Sequence, residues 1–167
     1  DMVKQAEEKV RRINAELEQK IHDRTVTLAR TVGRLEEQRE VLQTVIDNIP
    51  VMLAFYNSKG KMSLVSRELE RVLGWSEEEL LNMDFMAAVY PDPEYRRQVW
   101  EYMMEARPGW KDLEMTTKSG ARVFGSWSNV KLSDGSQIGI GIDLSERRKM
   151  EQDMRRLAKA IEQSDTA

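Results

Sequence analysis

Residues 139–150 read GIGIDLSERRKM, and this short stretch joins a strand directly to a helix. Its first half alternates glycine with isoleucine, which is the period-two pattern of a β-strand. Its second half is charged, and Asp143 with Glu146 forms a D-x-x-E capping pattern in which Ser145 offers a second cap. Because no loop separates strand from helix, we expect movement of the strand to shift the helix. The movement would be relayed to the helix through Asp143, Ser145 and Glu146.

Helices predicted at both ends of the chain carry apolar residues at heptad spacing, the pattern of a coiled coil. The first helix occupies the segment 1–43 and continues to about Asn48, and an out-of-phase repeat at Val3, Val10 and Leu17 precedes its main seam. A helix of this length spans roughly 70 Å, which a small domain cannot bury, so we predict a parallel homodimer. The predicted dimer seam comprises Leu28, Val32, Leu35, Leu42, Ile46 and Ile49, with Met150, Met154, Leu157 and Ile161 near the other end.

Residues 44–146 are predicted to form one α+β domain with an antiparallel sheet. Two strand patterns come first, a group of helical segments comes next, and three further strand patterns come last. Within the helical group, Gly74 ends one helix, and Ser76 with Glu79 forms a capping box that begins the next. Turns between strands are predicted at Asn57–Gly60, Ser119-Gly120 and Ser133–Gly135.

The composition excludes several classes of function. A net charge of −3 argues against a nucleic-acid-binding protein, which is usually strongly basic. The absence of cysteine excludes disulfides, thiolate metal sites and cysteine catalysis, and no catalytic or metal-binding set of residues is predicted. No apolar run approaches the roughly 18 residues of a membrane span and no signal peptide is present, so we expect a cytoplasmic segment without direct membrane contact. The sequence begins without Met, and we expect it to be a piece of a longer protein that could be membrane-anchored.

Four stretches of the middle region carry local signatures of one family, in that family's order. They are LQTVIDNIPVMLAFYNSKGKMSLVS, LGWSEEELLNMDF, VYPDPEYRRQVWE and GIGIDLSERRKMEQ. Over roughly residues 42–152 they resemble the lead-in helix and first hairpin, the Gly-aromatic-Ser turn, the Pro-Asp helix start and the last-strand exit of PAS sensory domains. The resemblance implies a five-stranded antiparallel sheet with helices packed over one face, plus a long N-terminal coiled-coil helix and a C-terminal signalling helix over residues 147–167.

The flanking segments have resemblances of their own. INAELEQKIHDRTVTLARTVGRLEEQ is similar to the coiled-coil connectors of bacterial signalling receptors, including two-component sensors. MRRLAKAIEQS is similar to the lead-in helix of another PAS domain, whose first strand would come after Thr166. These resemblances imply a downstream effector or a further PAS domain in the same polypeptide.

The family resemblance also implies a pocket between the sheet and the helices. Strand alternation puts Gly125, Trp127 and Asn129 on one face of their strand, and the resemblance implies that this is the inner face, where Gly139 and Gly141 would join them. The small residues beside Trp127 leave room for a ligand or simply admit the indole, and Asn129 contacts a ligand or satisfies the backbone. The helical lid would supply Leu73, Met83, Phe85, Met86, Tyr90 and Met103, which are equally expected of an ordinary core.

Any cofactor is expected to be small and non-covalent. The flavin–cysteinyl photochemistry of light-sensing relatives and a covalent chromophore of the yellow-protein type both need a cysteine, which the chain lacks. In relatives, the haem iron is usually coordinated by a histidine. The single histidine of this chain, His22, lies in the predicted coiled coil. The chain departs from the family at Ser66, where relatives often carry an asparagine that ties strand to helix, so no ligand contact is carried over there.

Three functions are compatible with these patterns. The first is a non-catalytic sensory and dimerisation module that relays a conformational signal through coiled-coil helices to an effector. The second is a ligand-free PAS spacer whose filled core serves only dimerisation. The third is a phosphoacceptor segment of a histidine kinase, suggested by His22 and the acid after it in IHDRT.

Overall fold

A computed structural model describes residues 1–165 and divides the chain into two units, the second of which begins at Ile46. The first unit consists of helix α1, Met2–Asn48, which continues three residues beyond it. Every residue of α1 is exposed or half-buried, as expected of a helix that no domain surrounds. The predicted long N-terminal helix is confirmed.

Five antiparallel strands form the sheet of the second unit, in the order β2-β1-β5-β4-β3. The last strand in sequence, β5, lies in the centre between β1 and β4, so the chain leaves the sheet from its middle. The predicted α+β class and the five-stranded antiparallel sheet are confirmed. The strands are β1 Met52–Tyr56, β2 Met62–Val65, β3 Lys111–Thr116, β4 Arg122–Lys131 and β5 Gln137–Asp143.

Four short helices connect β2 to β3, and each begins at a side-chain cap. They are α2 Arg67–Leu73, α3 Glu77–Asn82, α4 Phe85–Val89 and α5 Pro93–Glu105. The capping residues Ser66, Ser76, Asp84 and Asp92 each accept a hydrogen bond from the amide three residues further on, which satisfies one of the free amides of a helix start. The capping box of Ser76 and Glu79 and the end of α2 at Gly74, whose φ is 86°, are as predicted.

These helices cover one face of the sheet, as predicted. Helix α2 contacts β1, α3 contacts β2, and α4 contacts both α5 and β3. The core therefore lies between the inner face of the sheet and the helical layer. Its most deeply buried large apolar side chains are Met52, Leu69, Leu73, Leu80, Met115, Val89 and Val99.

Helix α6, Ser145–Asp165, begins after β5 and the single residue Leu144. The predicted C-terminal helix and its direct junction with the last strand are confirmed. The predicted helix extends to residue 167, and its last two residues, with the strand expected after Thr166, lie outside the described residues. Within residues 1–165, none of the helices combines the length and apolarity needed to span a membrane.

Candidate functional site

The inner face of the sheet carries the five residues that the family resemblance, together with strand alternation, assigned to it. In β4, Gly125, Trp127 and Asn129 are buried, and in β5 so are Gly139 and Gly141. Trp127 lies opposite Gly141 and Asn129 opposite Gly139 in the antiparallel register. Cross-strand partners share one face of a sheet, so the large and polar side chains of β4 each face a glycine of β5.

The glycines make room for the indole of Trp127. A Cβ atom on Gly141 would lie 2.7 Å from Trp127 Cε2, and one on Gly125 would lie 2.8 Å from Trp127 Nε1. Both distances are shorter than real Cβ contacts, so the ring rests directly on the backbone at these two positions. Of the two interpretations of the small residues, the structure supports the one in which they admit the indole.

Little space remains between the sheet and the helices. The interior gap measures about 10 Å³, roughly the room that one water molecule requires. Its lining contains five predicted pocket residues. It also contains Tyr56 and Leu113, which were not predicted but which strand alternation on β1 and β3 would have identified. The predicted residues that come together here, with Gly139, are Phe85, Tyr90, Met103, Trp127 and Asn129.

The polar groups at this gap are held in an apolar environment. Burial raises the pKa of Tyr90 far above its usual range, with the nearby Tyr56 and Tyr95 adding to the effect, and burial alone raises the pKa of Tyr56. Both phenols therefore stay neutral and can serve only as hydrogen-bonding groups. Trp127 Nε1 is buried and finds no hydrogen-bond partner among residues 1–165.

Met83 and Met86 do not line this gap, although both pack against the core. Both are half-buried and line a surface groove between the β1–β2 hairpin and helices α3–α5, with the exposed Trp100 beside them. Leu73 is fully buried in the core. The predicted lid therefore contributes Phe85, Tyr90 and Met103 to the interior gap, while the two methionines face a different surface.

Asp143 joins the end of β5 to the start of α6. Its Oδ1 accepts hydrogen bonds from the Ser145 amide at 2.9 Å and from the Ser145 hydroxyl at 2.6 Å. The carboxylate thus holds the first amide of α6, as predicted. The sequence also predicts that the Ser145 hydroxyl holds an amide, but in the structure this hydroxyl donates to Asp143 Oδ1, which lies two residues earlier in the chain.

The first turn of α6 is also attached to the outer side of the sheet. The Leu144 amide donates to the Phe124 carbonyl at 2.9 Å, and the Arg148 amide donates to the Leu144 carbonyl at 2.9 Å. The Arg148 guanidinium carbon lies 3.8 Å from the centre of the Phe124 ring, a cation–π contact, and its Nη2 lies 3.8 Å from Asp112 Oδ2. The helix start is therefore fixed to both β3 and β4.

Comparison with known families bears directly on this combination of sheet, helical layer and exit helix. The family model described as the PAS fold matches residues 40–158, which is more than two thirds of the chain. The chain belongs to the PAS family. PAS domains are sensory modules of signal-transduction proteins, which assigns the chain to that broad class.

Solved PAS domains share the fold at low sequence identity. A domain of a sensory-box sensor histidine kinase/response regulator from Geobacter sulfurreducens is 17% identical and has a TM-score of 0.54, with 65% of this chain and 96% of that chain covered. The PAS domain of an HTR-like protein from Haloarcula marismortui is 18% identical, with a TM-score of 0.54 and coverages of 68% and 98%.

A third similar structure is the PAS domain, in complex with ethanol, of a LuxR-family transcriptional regulator from Burkholderia thailandensis. It is 17% identical and has a TM-score of 0.52, with 61% of this chain and 96% of that chain covered. No curated protein matches the sequence significantly. At these identities the solved structures establish the shared PAS fold.

Ser66, where this PAS domain departs from the family's asparagine, still ties strand to helix. Its hydroxyl is fully buried, donates to the Val51 carbonyl at 3.0 Å, and accepts from the Leu53 amide at 2.8 Å and the Leu69 amide at 3.3 Å. All three bonds are to backbone groups of β1, its approach and α2. A serine therefore makes the connection between strand and helix in this chain.

Other candidate chemistry lies outside the PAS core. His22 lies exposed on α1, next to Asp23, whose carboxylate accepts a hydrogen bond from Gln19 Nε2 at 3.0 Å. Within the part of the chain that the structure describes, no group of three His, Cys, Asp or Glu side chains could hold a metal ion.

Proposed function

We propose that the chain is a non-catalytic sensory and dimerisation module that passes a conformational signal along its flanking helices. The signal would travel from α1 across the PAS domain to α6, and from there to an effector or a further sensory domain of the same polypeptide. The filled interior favours an input transmitted by contacts within the protein, because about 10 Å³ leaves no room for a ligand larger than water.

The observation that carries this proposal is the apolar seam on both flanking helices. In α6, Met150, Met154, Leu157 and Ile161 are each more than half exposed, although apolar side chains of this size are usually buried. In α1, Leu28, Val32, Leu35 and Leu42 are likewise 50–64% exposed. Regular seams of this kind are buried when two copies of a helix pair side by side.

Charged residues within the seams support a defined register. Arg39 occupies the place between Leu35 and Leu42 where the heptad pattern calls for an apolar residue, and Arg147 lies three residues before Met150 in the same position. Polar residues at such positions reduce the stability of a coiled coil and favour one alignment and one oligomeric state. We therefore propose a parallel homodimer whose helices are only moderately stable.

The proposed dimer is tested by sedimentation of a variant in which Leu35 and Leu42 are both replaced by lysine. Four like-charged side chains would then meet in the seam, so we expect the variant to sediment as a monomer. The matched control replaces Val26 and Val41 by lysine, since both are exposed on α1 but lie off the seam. A seam variant that remains a dimer would contradict the proposal.

A second candidate function is a sensor of a small, non-covalent molecule. It is supported by the unpartnered Nε1 of Trp127 and by Asn129, since both residues lie at the interior gap. The similar PAS domain from Burkholderia thailandensis, solved in complex with ethanol, also favours a small polar ligand. Native mass spectrometry of the purified chain separates the two candidates, because only a ligand sensor would carry additional mass that is lost on denaturation.

A further inference from the structure

Helix α2 carries two arginines that reach the ends of two different elements. Arg67 Nε lies 3.7 Å from Oδ1 of Asp47, the penultimate residue of α1. Arg71 Nη2 lies 3.7 Å from Oδ2 of Asp143, the last residue of β5. Residues four apart on a helix lie on the same face, so one side of α2 bears both ion pairs. This single short helix therefore contacts the end of α1 and the junction with α6.

The position of α2 is fixed at both of its ends. The buried hydroxyl of Ser66 ties its start to β1, as described above. At its other end, the Gly74 amide donates to the Glu70 carbonyl at 2.8 Å and the Lys118 amide donates to the Leu73 carbonyl at 2.8 Å. With its ends attached in this way, α2 is a rigid support for the two arginines.

The two pairs share an asymmetry that suits the transfer of small movements. The side chains of Asp47 and Asp143 are only 19% and 21% exposed, whereas those of Arg67 and Arg71 are 70% and 64% exposed. The carboxylates are therefore largely enclosed by the protein, whereas the guanidinium groups lie mostly in solvent. Asp143 uses Oδ1 for the first amide of α6, which leaves Oδ2 for Arg71.

Arg71 is oriented toward the junction by its own helix. Glu68 accepts hydrogen bonds from Arg71 Nε at 2.8 Å and from Nη2 at 2.5 Å. This bidentate bond raises the pKa of Arg71, and the negative charges of Asp143 and of Glu146, in the first turn of α6, raise it further. The guanidinium thus lies within the field of three carboxylates, two of which belong to the junction.

We propose that Arg67 and Arg71 couple the end of α1 to the start of α6 through α2, by a route that does not pass through the interior of the domain. In this arrangement a displacement of Asp47 changes the ion pair between Arg71 and Asp143. The change in that ion pair alters the stability of the first turn of α6. The inference rests on the proposed function in that it supplies the route between the two flanking helices. Both arginines act as positioning residues.

Amide hydrogen exchange of the chain, measured by NMR, tests this coupling. The reporter is the Arg148 amide, which closes the first turn of α6 on the Leu144 carbonyl. Exposed ion pairs shift local equilibria by about two- to fivefold, so we expect Arg71→Gln to speed exchange of this amide by about that factor. Arg67→Gln is expected to speed it as well, although Arg67 makes its ion pair with Asp47 at the other element.

Arg97→Gln is the matched control, because Arg97 is a similarly exposed arginine paired with Glu94 and Glu101 on α5. It should leave exchange at Arg148 unchanged. Exchange of the Trp127 amide in strand β4 is followed in the same samples, and an unchanged Trp127 rate shows that global stability is unaffected. In the background of Arg71→Gln, the further change Arg67→Gln should have no additional effect, since the route is already interrupted.

Two results would overturn the inference. One is an Arg67→Gln variant whose Arg148 exchange matches that of Arg97→Gln. The other is an effect of Arg67→Gln that persists at full size when Arg71 is already replaced. Sedimentation of the same samples keeps the two proposals apart: a monomer with intact coupling contradicts the proposed dimer alone, and a dimer without coupling contradicts this inference alone.

Discussion

The contact between Trp127 and the backbone at Gly141 accounts for the closed interior of this PAS domain. The indole lies on the inner face of β4, and the neighbouring strand offers it two glycines in place of side chains. A flat aromatic ring in contact with bare backbone buries a large apolar area, while its Nε1 gives up a hydrogen bond to water. The side chain is therefore a packing element with one unsatisfied polar atom.

Replacing Gly141 by alanine tests this packing at a single atom. The new methyl group would lie 2.7 Å from Trp127 Cε2 and would force the ring or the strand to move. We expect the free energy of unfolding to fall by about 1–3 kcal/mol, as in other overpacked cores, and urea denaturation measures the change.

Gly139→Ala provides the control on the same strand and the same face. A Cβ atom there would lie 3.4 Å from Asn129 Oδ1 and 3.5 Å from the Trp127 ring, which is a tolerable separation. This variant should change the stability by no more than about 1 kcal/mol. Equal losses for the two variants would show that the indole does not rest on Gly141.

At the scale of elements, α2 depends on its first capping residue more than its length suggests. Seven residues make a marginal helix, and most of its stability must come from tertiary contacts. Ser66 provides the cap and also satisfies two backbone groups that lead into and begin β1. The same hydroxyl thus secures a helix that bears both arginines of the proposed coupling.

We expect Ser66→Ala to lower the free energy of unfolding by about 2–4 kcal/mol. The cap accounts for about 1 kcal/mol, and two backbone groups left without a partner account for the remainder. Ser76→Ala is the control, since Ser76 caps α3 in the same way but on the surface. It should cost about 1 kcal/mol in the same thermal or urea denaturation. A Ser66→Ala variant no less stable than Ser76→Ala would show that the ties to β1 are weak.

The helices and strands differ in how clearly local sequence patterns predict them. The strands, α2, α3 and α5 have turn residues or caps at their boundaries, and the heptad pattern identifies α1 and α6. Helix α4, Phe85–Val89, has no such pattern, because five residues do not complete two turns. Asp84, which accepts from the Ala87 amide at 3.1 Å, is the one local signal of its start.

At the scale of the whole molecule, the direct junction between β5 and α6 links the orientation of the helix to that of the central strand. The central strand continues into the helix through Leu144, and the first turn is held by Asp143 on one side and by Arg148 on the other. A helix attached in this way has a defined rotational phase relative to the sheet. A partner or effector that contacts α6 would therefore respond to rotation of this helix.

Insertions of alanine after Gln152 test whether this phase matters. One extra residue turns the downstream seam by about 100°, whereas seven residues restore the heptad register almost completely. With the chain joined after Asp165 to the catalytic module of a sensor histidine kinase, we expect one or two alanines to change the rate of autophosphorylation. Seven alanines should return the rate to that of the parent, and they serve as the internal control.

A rate that is the same for insertions of one, two and seven residues would mean that α6 is a passive tether. The strand-to-helix junction would then serve only to terminate the domain. The series is independent of any ligand, since it compares the basal activity of otherwise identical chains.

Local signals in the sequence account for the architecture and for the face of each central strand. Turn residues, caps and heptads act over a few residues whatever the rest of the chain does. Strand alternation likewise puts Trp127 and Asn129 on one face, because successive side chains on a strand point to opposite faces, and the family resemblance identifies that face as the inner one. The same rules predict the direct junction at Asp143, which the structure contains.

The role of the inward residues depends on tertiary packing. The sequence allows the glycines beside Trp127 to leave room for a ligand or to admit the ring, and the choice depends on the register between β4 and β5. It also groups Met83 with the interior residues, and the packing of the short helices places this side chain against the core and beside a surface groove, away from the small gap. The two ion pairs of α2 join residues far apart in the chain, at distances that only the assembled fold defines. Such long-range contacts depend on how every element packs, and no short stretch of sequence encodes them.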